Sequence, residues 1–354
     1  MKSFKDIQEL LLSEKNGRVS PDTLAFFLFL KAERRKSKEK QFYAFAINHE
    51  EIEDLSEAIE TLILMSKSDV SFQVAVSSTD LVLIHWSFLE FNFKLNHSKK
   101  PTLKIFICDP LGIEQTICLA ARLSHVMQFG NLSRFCELKV YLSNDTLQIR
   151  GRDCAYFTLD NMAMLSNQSE FESLYDYMEN HQLLRDHIKV SKKLYEFRKS
   201  LTMLDNEEEN EELNKVFHFD FVVSSLPVRL LRTKQSVPDL KKEIEETGLA
   251  FDIVNHKKET AWRSISRYLF LATTRTKEQT LRNMRVNKKK EIMEVSIQKA
   301  IEEIRQKPSL ETERIDFFNQ AVSQHRSTGL KKFINTLSTE CLEKKDNREN
   351  LSYI

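Results

Sequence analysis

The sequence predicts an α+β protein in which a region of strands lies between two regions of helices. Apolar residues recur at helical spacing over residues 3–66, strand-like alternation begins near residue 70, and helical patterns return after residue 168. The composition agrees with this, since 41% of the 354 residues are hydrophobic and only six are glycine and six are proline. Such a chain can bury the core of one large domain or of two ordinary domains.

The segment 1–68 is predicted to be helical. A polar stretch, Lys31–Gln41, separates an apolar helix that begins after Ser20-Pro21-Asp22 from a second helix. In the second helix the apolar residues between 52 and 62 recur at intervals of three and four, which is the spacing of one buried helix face.

The segment 69–204 is predicted to form the catalytic core. Some of its strands show alternating apolar residues, whereas others are short continuous apolar runs typical of buried strands. The predicted strands are 71–77, 81–86, 88–95, 103–108 and 137–142. Helices are predicted over 114–129, from Cys154 onward, and again up to about residue 203.

Charge patterns divide the rest of the chain. The acidic run Asp205–Glu212 marks 205–215 as a solvated linker. The following segment, 216–354, is basic and mostly helical, with final helices predicted over 276–306, 310–325 and 328–345.

The composition also excludes several classes of protein. The formal net charge of +1 gives no reason to expect a nucleic-acid partner. No run reaches the roughly 18 apolar residues of a membrane span, and Leu10–Leu12 is too brief for the core of a secretory signal. The five cysteines are odd in number and widely spaced, which indicates free thiols in a reducing compartment. No CxxC motif is present, so we expect no metal site.

Four residues have the types and the order that cysteine acyl transfer needs. Gln148 lies six residues before Cys154, at which a helical pattern begins. His85 lies in a predicted strand, 24 residues before Asp109, which ends another predicted strand. We predict Cys154 as the nucleophile, His85 as its base, Asp109 as the group that orients His85, and Gln148 as an oxyanion donor.

Each of these residues also has a plainer interpretation. Cys154 could be a buried cysteine at the start of a helix, His85 a core residue of its strand, and Asp109 a turn former before Pro110. Glu114, at the start of the next predicted helix, is a weaker candidate for the orienting acid. The combination of all four residues favours the catalytic interpretation.

A basic segment follows the candidate catalytic core. Residues 229–290 contain 16 Lys and Arg against seven Asp and Glu. Most of these would lie on solvated helix faces, but such a cluster could also bind a multiply phosphorylated ligand by charge-assisted hydrogen bonds. Aromatic platforms for single-stranded nucleic acid are sparse here.

Together these motifs resemble clan CE, the fold of ubiquitin-like-protein proteases and of the YopJ acetyltransferases. The match of the core covers roughly residues 70–170. The pair His85-Trp86 and the tetrapeptide Gly151-Arg152-Asp153-Cys154 look somewhat like the SUMO-protease branch. The stretch Leu226–Gln235, which begins Leu-Pro-Val, and the stretch Val254–Thr260 look like two segments of the YopJ branch. About 200 residues follow Cys154, which is also similar to that branch.

The resemblance to the YopJ family implies a clan CE catalytic core with a helical regulatory region from the N- and C-terminal segments. It implies an effector, delivered by a bacterial secretion system into the host cytoplasm, that moves acetyl from acetyl-CoA through Cys154 to Ser, Thr or Lys of a host protein. The host protein would be a kinase or an immune-signalling protein, and inositol hexakisphosphate would be the activator. Inositol phosphate or CoA would be bound by Arg232, Lys234, Gln235, Asn255, Lys257, Lys258, Arg263 and Arg267.

The chain departs from the family pattern at several positions. Asp109 stands where many members have Glu, Ala155 where Gly is common, and Arg232-Thr233 where the family has Lys-His. The same His-Asp-Cys set would also suit a deubiquitinase or a ubiquitin-like-protein protease. The core motifs alone do not separate acetyl transfer from isopeptide hydrolysis, and they do not identify the host target.

Overall fold

A computed structural model gives the fold. It describes residues 4–13, 19–36, 42–80, 83–96, 99–149, 153–166, 173–202, 211, 215–254, 258–266, 295, 298–299, 301–302, 305–306 and 311–349.

A mixed six-stranded sheet forms the centre of the molecule, with the strands in chain order across the sheet. The strands are β1 Ala44–Asn48, β2 Val70–Asp80, β3 Leu83–Lys94, β4 Thr102–Cys108, β5 Glu137–Ser143 and β6 Asp220–Ser224. Strand β3 is antiparallel to both of its neighbours, β2 and β4. The outer pairs β1–β2, β4–β5 and β5–β6 are parallel.

Helices surround the sheet. Those before β6 are α1 Phe4–Ser13, α2 Pro21–Lys36, α3 Ile52–Met65, α4 Ile113–Val126, α5 Phe129–Leu132, α6 Cys154–Leu165, α7 Leu174–Asn180 and α8 Leu184–Thr202. Those after it are α9 Val228–Leu231, α10 Val237–Thr247, α11 Glu311–Gln324 and α12 Ser327–Glu349. None of the helices formed by the described residues is long and apolar enough to cross a membrane.

The two faces of the sheet carry two separate hydrophobic cores, because neighbouring strand residues point to opposite faces. On β3, Trp86 and Phe88 pack into a core shared with α1, α2, α6, α7, α9, α10 and α11. Leu89 and Phe91 pack into the other core, which is shared with α3, α4, α5, α8 and α12. The sheet is therefore the middle layer between two layers of helices.

The N- and C-terminal helices pack against each other beside β1. The ring centroids of Phe26 on α2 and Phe318 on α11 are 4.9 Å apart. Between α11 and α12, the carbonyl of His325 accepts a 2.8 Å hydrogen bond from the backbone N–H of Ala46. Nδ1 of His325 lies 2.6 Å from the carbonyl oxygen of Ala44. This turn therefore covers the outer edge of β1, which would otherwise present unpaired backbone groups.

The predicted mixture of helices with one central strand region is confirmed, but two details of the prediction are wrong. β1 lies inside the segment 1–68, for which only helices were predicted. Its apolar run is too short for periodicity to distinguish a buried strand from a helix. The predicted strands 81–86 and 88–95 correspond, over the described residues Leu83–Lys94, to the single strand β3, since β2 pairs with it continuously from Val70 to Asp80.

The sheet also takes a strand from beyond the predicted acidic linker. β6 at Asp220–Ser224 pairs with β5, so the segment 216–354 contributes to the same sheet as the segment 69–204. The predicted helices over 310–325 and 328–345 correspond to α11 and α12. Most of the helix predicted over 276–306 lies outside the described residues.

Candidate active site

His85 and Asp109 meet because β3 extends past the end of β4. The pairing of β3 with β4 begins at Phe88 and Cys108, and Asp109 follows β4 directly. His85 lies on the part of β3 that pairs with Ser78 of β2 alone. The ring of His85 can therefore extend past the end of β4 to the carboxylate of Asp109.

The two side chains form a short hydrogen bond. Nε2 of His85 lies 2.6 Å from Oδ2 of Asp109. Asp109 is 1% exposed, and its other oxygen, Oδ1, accepts a 2.8 Å hydrogen bond from the backbone N–H of Leu111. Ser87 donates its hydroxyl to the same Oδ2 at 2.6 Å. These three donors fix the orientation of the carboxylate.

Cys154 is the first residue of α6 and is buried against β3. The backbone N–H of Trp86 donates to its Sγ at 3.3 Å, and the imidazole of His85 is also hydrogen-bonded to it. Since Nε2 of His85 contacts Asp109, Nδ1 is the ring nitrogen left for the sulfur. The sulfur therefore lies at a helix N-terminus, between a backbone N–H donor and the imidazole of His85.

The pKa of His85 is shifted strongly. Burial of the ring lowers this pKa, but hydrogen bonds to Asp109 and Cys154 and the charges of both groups outweigh burial and raise it from 6.5 to about 10. The shift favours a protonated imidazole at neutral pH. Such an arrangement supplies a nucleophile and an acid at the same place.

Gln148 lies in a loop that is tied to the residue after Asp109. The carbonyl of Pro110 accepts hydrogen bonds from the backbone N–H groups of Leu147, at 2.9 Å, and of Gln148, at 2.7 Å. Gln148 is 2% exposed. Residues 150–152 lie outside the described part of the chain, so the Gly151 and Arg152 of the predicted motif do too.

Two further contacts hold α6 and β3 together, and sequence reasoning did not identify them. The hydroxyl of Thr158 donates to the carbonyl of Trp86 at 3.3 Å. The indole of Trp86 is fully buried, and its Nε1 donates to the carbonyl of Val19 at 2.8 Å, which links β3 to the chain before α2. Ser87 was also missed, although its position two residues after His85 on a strand places both side chains on one face.

The remaining candidate groups of the core have other environments. Burial raises the pKa of Cys108, of Cys118 and, to about 12, of Cys136. Glu114, the weaker candidate for the orienting acid, is mostly exposed and pairs with Lys193 of α8.

The five predicted ligand-binding residues that the structure describes have different environments. Nη1 of Arg232 lies 3.4 Å from Oδ2 of Asp160. Nζ of Lys234 lies 2.8 Å from Glu243, and Gln235 is 4% exposed with its side chain bonded to the protein backbone. Lys258 and Arg263 are exposed, whereas Asn255, Lys257 and Arg267 lie outside the described residues.

A group of cationic side chains surrounds Lys31 on α2. Burial lowers the pKa of Lys31 to about 8, Asp160 opposes this shift, and the charges of Arg35, Arg232 and Arg34 add to it. The side chain of Arg35, also on α2, reaches the end of α6, where its Nη2 donates to the carbonyl of Ala163 at 2.7 Å. The structure therefore places Arg232, predicted as a ligand residue, beside the basic end of α2.

A cavity of about 270 Å³ reaches His85 from the face of the sheet that carries α3, α4 and α8. His85, Ser87 and Asp109 form one wall, and Gln115, Cys118 and Arg122 of α4 form another. Ser77, 1% exposed, also lines it. Among the residues that the structure describes, no group of three or more His, Cys, Asp and Glu could hold a metal ion.

Comparisons with known proteins give similarity in structure only. No protein-family model matches the chain, and no curated protein matches it. A structure of a deletion variant of AvrA with IP6 and CoA matches over 75% of this chain and 88% of that chain, at 16% identity and a TM-score of 0.42. A structure of HopZ1a with IP6 matches over 83% and 92%, at 14% identity and a TM-score of 0.43. A structure of HopZ1a with IP6 and CoA matches over 83% and 96%, at 13% identity and a TM-score of 0.43. These neighbours are effectors of the YopJ family, the family that the sequence motifs resemble.

Proposed function

We propose that this protein is an acetyltransferase effector of the YopJ type with a clan CE catalytic core. The observation that carries the proposal is the hydrogen-bonded series Cys154, His85 and Asp109 where β3 passes the end of β4. In this role a bacterial secretion system delivers the protein into the host cytoplasm. There it transfers acetyl from acetyl-CoA to Ser, Thr or Lys of a host signalling protein.

The first half of the reaction acylates Cys154. Its thiolate attacks the carbonyl carbon of acetyl-CoA, a new C–S bond forms, and the C–S bond to CoA breaks. Protonated His85 donates its proton to the departing CoA sulfur. Gln148 and the backbone N–H of Cys154 stabilise the developing oxyanion.

The second half transfers the acetyl group to the acceptor. The acceptor hydroxyl or amine attacks the thioester on Cys154 while His85 takes its proton, and the Cys154 thiolate leaves. Acylation removes the negative charge of the thiolate, which is one of the groups that raise the pKa of His85. The acylated state therefore makes His85 easier to deprotonate, as the second step requires.

The distal segment Leu226–Gln235 supports transfer rather than hydrolysis. It resembles a segment of the YopJ branch, and it packs on both α6 and the loop of Gln148. Nδ2 of Asn161 on α6 donates to Oγ1 of Thr233 at 3.2 Å, and Ile149 donates to Gln235. A protease of the same clan has no evident need for this segment.

The cationic group around Lys31 supports a polyanionic activator, for which we propose inositol hexakisphosphate. Lys31, Arg34, Arg35 and Arg232 repel one another enough to contribute to the lowered pKa of Lys31. A bound polyphosphate would relieve that repulsion and accept charge-assisted hydrogen bonds from these groups. The residues therefore fit a ligand of this charge. Parts of the CoA site would lie nearby, on the basic segment 229–290 that contains Arg232.

The experiment that tests the function applies two labels to the purified protein. Labelled acetyl-CoA is added with and without inositol hexakisphosphate, and a ubiquitin or SUMO probe with an electrophilic C-terminus is added in parallel. We expect acetyl incorporation that increases with the activator and disappears in Cys154→Ala. Capture of the ubiquitin or SUMO probe at Cys154, without acetyl incorporation, would instead identify a protease.

A further inference from the structure

We infer that Gln235 is a positioning residue that holds the loop of Gln148 and so couples the C-terminal segment to the acyl-transfer site. The backbone N–H of Gln235 donates to the carbonyl of Leu147 at 2.7 Å. Its side-chain Oε1 accepts from the backbone N–H of Ile149 at 2.7 Å. The two hydrogen bonds therefore lie on either side of Gln148. The inference rests on the proposed function, because that function assigns the oxyanion to Gln148.

The same loop is also hydrogen-bonded to the residue that follows Asp109, the proposed orienting acid. Pro110, which follows Asp109, accepts hydrogen bonds from the backbone of Leu147 and of Gln148. The backbone of Gln148 is thus held between Pro110 and Gln235. Neither contact uses the side-chain amide of Gln148.

The segment that carries Gln235 is itself anchored to the core. The backbone N–H of Leu226 donates to Oδ2 of buried Asp145 at 2.6 Å. Nζ of Lys234, the neighbour of Gln235, lies 2.8 Å from Glu243 of α10 and 3.9 Å from Asp145. Any movement of this segment relative to β5 and α6 would therefore reach the loop of Gln148.

The physical reason for such a contact is preorganisation. An oxyanion donor lowers the activation barrier only if it already points to the site at which charge develops. Without the acceptor on Gln235, the backbone N–H of Ile149 would lose this partner, and the loop would be held less firmly. A displacement of about 1 Å can lower a rate by about 100-fold.

Burial distinguishes this role from direct ligand binding, which the sequence predicted for Gln235. The side chain is 4% exposed and its oxygen already accepts a backbone hydrogen bond. A phosphate would also be a poor partner for that oxygen, since both are acceptors.

The test compares two variants of nearly equal size. Gln235→Met removes the acceptor, whereas Gln235→Glu keeps an oxygen that can accept from Ile149. Acetyl transfer is measured at varied acetyl-CoA with inositol hexakisphosphate present, and hydrogen exchange is measured at the amide of Ile149. For Gln235→Met we expect kcat to fall about 10- to 100-fold. The KM for acetyl-CoA should stay within about threefold, and the amide should lose protection. Gln235→Glu should recover protection and a large part of kcat.

A double variant separates positioning from a general loss of structure. If Gln235 acts through Gln148, then Gln148→Ala/Gln235→Met should transfer acetyl no more slowly than Gln148→Ala alone. Full additivity of the two losses would overturn the inference, and so would a raised KM with unchanged kcat. If the unmodified protein transfers no acetyl group, the proposed function fails. The hydrogen-exchange measurement still tests whether Gln235 holds the amide of Ile149. Unchanged protection of this amide in Gln235→Met would overturn the inference.

Discussion

Oδ2 of Asp109 accepts the hydrogen bond of His85 Nε2 over 2.6 Å, at the one place where β3 continues past the end of β4. The contact brings together two side chains that are 24 positions apart in the sequence. It also makes the protonation of His85 depend on a buried carboxylate.

The first prediction concerns the pH dependence of stability. The pKa of His85 in the folded protein is about 10, against 6.5 for an ordinary histidine. The folded state therefore holds a proton that the unfolded state has released between these values, and stability falls as pH rises through that window. The stabilisation is fully present below pH about 6.5 and is lost above about 10.

Replacement of Asp109 by Asn should remove much of this dependence. The free energy of unfolding, measured in urea at several pH values, should then change less between pH 6.5 and 10 than in the unmodified protein. Because other groups titrate in both proteins, the difference between the two curves is the relevant quantity. Acetyl transfer should fall by about 10²–10⁴-fold. Parallel stability curves would mean that Asp109 does not hold the proton on His85.

The second prediction concerns Ser87, whose hydroxyl shares Oδ2 of Asp109 with His85. Ser87→Ala leaves the pair in place but removes one donor to a buried charge, so we expect a loss of about 1–2 kcal/mol of stability. Ser200→Ala is the matched control, since that serine is exposed, lines the same cavity and donates to the carbonyl of Phe197. The control should change the free energy of unfolding by less than about 0.5 kcal/mol. Equal effects in both variants would contradict the assigned role of Ser87.

The third prediction concerns the cations around Lys31. A bound polyphosphate should raise the lowered pKa of Lys31 from about 8, so binding at a pH near 8 should take up protons. Titration calorimetry with inositol hexakisphosphate, in buffers of different ionisation enthalpy, measures the number of protons taken up on binding. Lys31→Met should weaken binding, whereas Lys192→Met on α8, where the lysine is 80% exposed, should not. Unchanged affinity in Lys31→Met would place the ligand elsewhere.

The fourth prediction concerns the attachment of the C-terminal helices. Glu51 accepts hydrogen bonds from Arg326, which lies between α11 and α12, at 2.6 Å and from Ser327, the first residue of α12, at 2.7 Å. Because the pair is largely buried, Glu51→Ala should cost about 2–4 kcal/mol and loosen α12. Glu57→Ala removes an acceptor that is 69% exposed and pairs with Lys331 of α12. The loss of unfolding free energy in Glu57→Ala should be below about 1 kcal/mol in a urea titration. Equal losses in the two variants would contradict a larger contribution from the buried contacts of Glu51.

Much of the candidate site could be predicted from the sequence, because order and spacing along the chain survive folding. His85 and Asp109 belong to runs whose apolar character marks buried strands, and Cys154 begins a helical pattern. What the sequence could not supply were contacts between distant segments. Nothing in the spacing indicates that Trp86 donates to the sulfur of Cys154, or that Gln235 bonds to both neighbours of Gln148.

The errors have similar causes. β1 is a short apolar run at the outside of the sheet, and its strand geometry depends on pairing with β2 rather than on local pattern. The composition of the basic segment could not supply the contacts of Lys234 with Glu243 and of Gln235 with Ile149. Ligand binding by these two residues stays a prediction.

The central claim is that an acetyl group passes through Cys154. The measurement that tests it most directly is peptide mapping by mass spectrometry after brief incubation with acetyl-CoA and inositol hexakisphosphate. We predict an acetyl group on the peptide of Cys154 that neutral hydroxylamine removes, as it does a thioester, and no such group on the peptide of Cys136. Acetylated acceptor residues in a protein whose Cys154 is never acetylated, or in Cys154→Ala, would contradict the account.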